Sequence, residues 1–185
     1  PGGIQPRLSA NRASQLLRNM RTLDYVGEQR RASARTHLAD IRRLDRDIKA
    51  NKALIRRAVA VSETTVTDIY GVGPIVAAFL IGYTGNPSRF ATADHYAAYN
   101  GTAPIEYSSG GKTRHRLSLR GNRKLNHAIH MAAVCQIRFD TPGRVYYDKK
   151  LAEGKTKKEA LRALKRRLSD TVYRRLIADQ QHAHK

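Results

Sequence analysis

The chain has 185 residues, with 35 Lys and Arg against 15 Asp and Glu, a formal net charge of +20. Apolar residues make up 41%, which supports a real core and argues against general disorder, and the length suits one domain, or a smaller domain plus an extended arm. No apolar run is long enough to span a bilayer, no signal peptide is visible, and a single cysteine, Cys135, excludes an internal disulfide framework and fits a reducing compartment.

Nucleic acid is the expected partner for such a charge, because neutralising phosphates releases counterions. The charge is uneven: residues 1–60 hold 14 basic and 5 acidic side chains, 61–111 hold 1 and 4, and 112–185 hold 20 and 6. The chain opens Pro-Gly-Gly without a Met and reads as a piece of something longer.

A polar lead is followed by a predicted helix over about Asn11 to Leu23. From Glu28 to Ala60 there is neither Pro nor Gly, and Ile41, Leu44, Ile48 and Ile55 fall on a heptad-like seam, with Asn51 at its remaining site. Asp40, Asp45 and Asp47 interleave with Arg42, Arg43 and Arg46, as on a solvated face. So narrow a stripe needs a partner helix, either the first helix folded back or a second chain in a dimerising coiled coil.

Thr64 to Ile69, the Gly71-Val72-Gly73-Pro74 turn and Ile75 to Tyr83 read as a helix-hairpin-helix. In that motif Gly71 and Gly73 bring free amides at a helix N-terminus to a DNA phosphate. A tight turn between two core helices fits the same residues, and Lys and Arg are scarce there. Another short helix is predicted over Ala93 to Tyr99.

Ile105 to Tyr107 and Lys112 to Leu117 are candidate strands around Ser108-Ser109-Gly110-Gly111, giving a hairpin or loop with hydroxyls at its tip. Lys112, Arg114, Arg116, Arg120, Arg123 and Lys124 follow closely. A serine there can attack a phosphodiester while guanidinium groups offset the developing charge, and Gly110 and Gly111 would let backbone approach DNA. A flexible turn has the same composition.

Leu125 to Phe139 reads as an Ala-rich helix, and Thr141-Pro142 opens a helix that ends near Gly154. Thr156-Lys157-Lys158-Glu159 is a capping box that starts a helix running to about Ile177, with Leu161, Leu164, Leu168, Val172 and Leu176 on its apolar face and Lys165, Arg166, Arg167, Arg174 and Arg175 around the rest. His127 and His130 lack a suitably placed carboxylate or Cys, and no carboxylates cluster as a two-metal nuclease requires, so no metal site is predicted. Cys135 reads as a small core residue.

Ile69-Tyr-Gly-Val-Gly-Pro-Ile-Val-Ala-Ala78, Arg89-Phe90, Tyr99-Asn-Gly-Thr-Ala-Pro104, Ser108-Ser-Gly110 and Leu119-Arg-Gly-Asn-Arg-Lys-Leu125 occur in that order. Together they resemble the C-terminal transposase domain of bridge-RNA-guided insertion-sequence recombinases, relatives of certain DNA invertases. The resemblance covers residues 63–178, and the basic arm before it resembles that family's coiled-coil region. It implies an enzyme, a DNA transposase or site-specific recombinase. A RuvC-like domain with a metal-binding acidic tetrad, absent from this chain, would be paired with a domain supplying a nucleophilic serine. Carried over, the serine before the glycine is Ser109, with Ser108 its alternate, and recombination would run through a covalent phosphoserine. No cofactor is then expected in this chain, Mg²⁺ being expected in the RuvC-like domain. The implied partners are DNA, a structured guide RNA and a second copy of the chain, with no membrane, in a bacterial or archaeal cytoplasm at the nucleoid. The expected fold is mostly α: a coiled-coil-like arm over 1–61, a helical domain over 62–178 with the helix-hairpin-helix and the small β-hairpin, and a polar tail over 179–185. Alone, the chain would be incomplete as a recombinase. The competing readings are a non-catalytic basic helix-hairpin-helix module that binds DNA or RNA, and a basic ribosome-associated protein.

Overall fold

The computed structural model describes residues 8–109, 112–116 and 121–183. The architecture is mostly α, as expected: seven α-helices and one two-stranded antiparallel hairpin among the described residues. The chain divides after Leu54 into two units, so the boundary falls inside the long helix rather than at its end.

In the first unit, α1 (Ala10–Asn19) is capped by Ser9, whose hydroxyl accepts from the Arg12 amide at 3.3 Å. It stops short of the predicted Leu23 because Met20 turns extended, and Leu23 is 99% exposed. Helix α2 (Tyr25–Val61) opens where Asp24 Oδ1 accepts the Gly27 amide at 2.6 Å. Arg43 lies between Asp40 at 3.3 Å and Asp47 at 3.7 Å, exposed pairs worth about 0.3–0.5 kcal/mol each. Ile41, Leu44 and Ile48 are 50%, 49% and 52% exposed, so the apolar seam is present and uncovered.

The second unit takes in the end of α2, α3 (Pro74–Thr84), α4 (Ala93–Asn100), β1 (Ile105–Ser109), β2 (Lys112–Arg116), α5 (Arg123–Gln136), α6 (Pro142–Ala152) and α7 (Lys157–Ala183). Helix α7 packs against α4, α5 and α6, and α5 against α3. Val66, Leu80, Tyr96, Leu125, Ile129, Leu164 and Val172 form the centre of the core. Small Ala128, Ala132 and Ala133 let neighbouring helices approach α5 closely.

Where the first helix of a helix-hairpin-helix was expected, the chain forms only a 3-10 turn, Thr65–Asp68, ending as Ile69 turns extended. Gly71 is left-handed (φ +85), and a Cβ there would meet the Ala132 carbonyl oxygen at 2.9 Å. Close packing on α5 therefore accounts for this glycine. Gly73 is an extended N-cap (φ −77) with open space around it, so neither its backbone nor its surroundings require a glycine.

The last two helices start as predicted. Thr141 accepts the Arg144 amide at 3.1 Å, and Thr156 and Glu159 close the capping box, Glu159 accepting from the Thr156 amide at 2.9 Å. Helix α7, however, continues past Ile177, so most of the predicted polar tail is helix. Asp179 on it accepts from Thr64 Oγ1 at 2.7 Å, the Thr65 amide at 3.0 Å and Thr65 Oγ1 at 2.6 Å.

Candidate nucleic-acid site

The predicted hairpin is formed. Ser109 pairs with Lys112, Ser108 with Thr113, Tyr107 with Arg114, Glu106 with His115 and Ile105 with Arg116. Ser109 is thus the last residue of β1, paired with Lys112, the first of β2, and Ser108 lies one step further from the turn. Gly110, Gly111 and Arg120 lie outside the described residues. Arg123 and Lys124 are exposed in the first turn of α5, while Gly71 and Gly73 belong to the turn before α3 and not to the hairpin.

The two ends of the hairpin segment are fastened together. The chain leaves α4 at left-handed Gly101 (φ 72) and returns at Gly121, where a Cβ would sit 2.6 Å from the Gly101 Cα. Asn122 donates from its backbone amide to the Tyr99 carbonyl at 2.7 Å and from Nδ2 to the Tyr99 hydroxyl at 3.2 Å. Its Oδ1 also caps α5 by accepting the Lys124 and Leu125 amides, which starts that helix two residues before the predicted Leu125. The Arg89 guanidinium lies 4.5 Å over the Tyr99 ring. The Asn122 hydrogen bond, and then Arg89, hold the Tyr99 phenol below its ordinary range.

Beneath this junction lies a buried polar network. Asn100, with no exposure, donates from Nδ2 to Ser169 Oγ at 2.7 Å and accepts at Oδ1 from the Thr102 amide and hydroxyl. Asn126 Nδ2 donates to the carbonyls of Asn100 at 2.9 Å and Gly101 at 3.1 Å. Lys165 Nζ donates to Asn126 Oδ1 at 2.6 Å. Sequence periodicity places Lys165 on the solvated side of α7, yet it is only 7% exposed, and burial pushes its pKa down. His130 beside it is likewise held below its usual range, by burial, Lys165 and His127.

The network was missed because periodicity treats a lysine beside an apolar stripe as solvated. The Gly-Asn pair at 121–122, just before the α5 pattern, was the available signal for its cap. Cys135 is half-buried beside Gly71. No group of three or more metal-ligating side chains occurs among the described residues, and none of their helices is long and apolar enough to cross a membrane.

Residues 63–148 match the Transposase IS116/IS110/IS902 family model, a span that takes in the Gly71 turn, the hairpin, its fastening and α5. An uncharacterized 43.6 kDa protein of insertion element IS110 from Streptomyces coelicolor is 37% identical over 109 residues, 58% of this chain and 27% of the relative. An uncharacterized 44.8 kDa protein of insertion element IS116 from Streptomyces clavuligerus is 30% identical over 167 residues, 87% of this chain and 42% of the relative. The pilin gene-inverting protein of Moraxella lacunata is 32% identical over 108 residues, 57% of this chain and 34% of the relative. The chain thus spans less than half the length of each of these proteins. Over residues 63–148 the chain is thus similar to the Transposase IS116/IS110/IS902 family, and over longer spans to insertion-element proteins and a pilin gene-inverting protein.

Proposed function

We propose that this chain supplies the serine nucleophile of a DNA transposase, with Ser109 as the attacking residue. The observation that supports the assignment is the hairpin register, which sets Ser109 at the end of β1 beside the turn and opposite Lys112, with Arg114 and Arg116 following along β2. In the proposed step a bond forms between Ser109 Oγ and phosphorus as the bond from phosphorus to the leaving sugar oxygen breaks. The serine gives up its proton and the leaving oxygen takes one up. Lys112, Arg114 and Arg116 offset charge on the non-bridging oxygens, while Arg120, Arg123 and Lys124 hold flanking phosphates. Gly110 and Gly111 keep the tip open to DNA.

Mg²⁺ would be held elsewhere in the full-length protein, by a RuvC-like acidic domain. The described residues offer no cluster for it, and no step above runs through it. A structured guide RNA, and a second copy joined through the seam of α2, complete the reading. It places the protein at nucleoid DNA in the cytoplasm of a bacterium or archaeon.

The test is Ser109→Ala in the full-length protein. Loss of strand exchange and of the covalent protein–DNA adduct, with DNA binding kept, is expected, whereas Ser108→Ala retains both activities. Strand exchange that survives both substitutions would overturn the assignment and favour a non-catalytic binding module.

A further inference from the structure

Between the α4–β1 loop and α7 lies a cleft of about 280 Å³, walled by Thr102, Ala103 and Pro104 on one side and by Lys155, Arg162 and Lys165 on the other. Two further charged residues line it, and both have partners. Arg166 is bound by Asp94 and Asp170, and Glu159 is taken up in the capping box and faces Arg162 at 3.9 Å. Lys165 differs: 7% exposed, it has one hydrogen bond, to the neutral amide of Asn126, and no carboxylate partner among the described side chains, which do not include those of residues 105–120. A buried ammonium without a counter-charge is costly, since burial normally requires an ion pair or an equivalent anion. The neighbouring rim adds two more cations, Lys155 and Arg162, against the one carboxylate of Glu159.

We propose that the missing counter-charge is a backbone phosphate of bound nucleic acid, held in this cleft by Lys165, Arg162 and Lys155. The inference rests on the nucleic-acid reading above and adds a site to it. Pro104 on the cleft wall directly precedes β1. Rising about 3.3 Å per residue, that strand carries Ser109 roughly 13 Å beyond Ile105. A phosphate here would be a second grip on a strand, a few nucleotides from the one at the hairpin tip, and it would sit on the network that fastens the hairpin's base. Lys165 is a binding and positioning residue in this scheme, with no contact to the reacting atoms.

The test measures affinity for a DNA duplex and for an RNA of equal length across a potassium chloride series, using native chain, Lys165→Met and the rim double variant Lys155→Gln/Arg162→Gln. A lost phosphate contact flattens the slope of log affinity against log salt by about 0.9 for duplex DNA, or about 0.7 for a single strand. The expected result is that flattening in Lys165→Met and at least as much in the rim variant, on whichever nucleic acid occupies the cleft. The rim variant changes side chains at the cleft mouth, so it still gives an answer if Lys165→Met fails to fold. Slopes unchanged in folded variants, with native binding intact, would overturn the cleft alone. A native chain that binds neither nucleic acid would overturn the reading beneath it as well. Inorganic phosphate is the remaining arm: if it raises the melting temperature of native chain but not of Lys165→Met while the nucleic-acid slopes stay equal, the cleft takes free phosphate and the backbone assignment is wrong.

Discussion

Gly121 and Gly101 meet backbone to backbone, so close that a Cβ on Gly121 would fall 2.6 Å from both the Cα and the amide nitrogen of Gly101. No rotamer relieves such a clash, because the atoms met are main chain. Gly121→Ala must push the two ends of the hairpin segment apart, and overpacking of this kind costs about 1–3 kcal/mol. Gly101→Ala acts differently, through its left-handed φ of 72, at about 1–2 kcal/mol. Thermal melts should show both losses. In the full-length protein, strand exchange should fall further than stability does for Gly121→Ala, because the altered contact sets the base of the hairpin. A Gly121→Ala protein with native melting and native exchange would show that the crossing is not tight in solution.

Asp179 accepts three hydrogen bonds from Thr64 and Thr65, which ties the late turns of α7 to the 3-10 turn. Asp179→Ala strands those donors in a half-buried place, and hydrogen bonds to a charged acceptor are worth about 1.5–3 kcal/mol. We expect urea unfolding to show a loss of about 2–3 kcal/mol, with the same loss on truncation after Ala178. A truncated chain as stable as the native one would return these residues to the status of a dispensable tail.

The contrast between α7 and its neighbours explains what the sequence could disclose. Caps are local chemistry, so Thr141, Thr156 and Glu159 announce their helices to within a residue. The heptad of Ile41, Leu44 and Ile48 follows from periodicity, and the strands around Ser109 follow from the turn residues between them. Asp179 and Lys165 do not, because their partners lie 114 and 39 residues away in the chain. In the sequence Gly71 reads as part of a phosphate-binding turn, with a tight turn between core helices as the alternative, and its close neighbour is Ala132 of the same domain. Residue types and spacing identify the tip of the candidate site, whereas the network beneath it exists only once α4, α5 and α7 are packed.

Tyr96 carries a pH prediction. Burial, partly offset by its hydrogen bond with Thr84 at 3.0 Å, pushes its phenol up to about 12 from 10.0. The folded state therefore holds this proton to higher pH than the unfolded chain does. The associated stability is fully present below pH 10 and is lost as pH rises through about 12. Tyr96→Phe keeps the ring in the core but removes the partner of a buried threonine hydroxyl, costing about 1–2 kcal/mol near neutrality. Melts from pH 9 to 12 should then decline less steeply for Tyr96→Phe than for native chain. Parallel declines would assign the alkaline lability to other groups.

The seam of α2 leads to the last expectation. Ile41, Leu44 and Ile48 lie on one stripe of a 37-residue helix and are each about half exposed. Covering the remaining surface of each is worth roughly 1 kcal/mol at about 25 cal/mol per Å², and a matching stripe on a second chain doubles the gain. With Asn51 at the fourth seam site, that sum supports a modest, concentration-dependent coiled coil rather than an obligate one. Ile41→Asp/Ile48→Asp would bury two carboxylates against apolar partners, which no short coiled coil tolerates. Sedimentation of the native chain should show reversible self-association that the double variant abolishes. Circular dichroism should show the variant's second unit still folded. A native chain that sediments as a monomer at every concentration would remove the seam as a contact between copies.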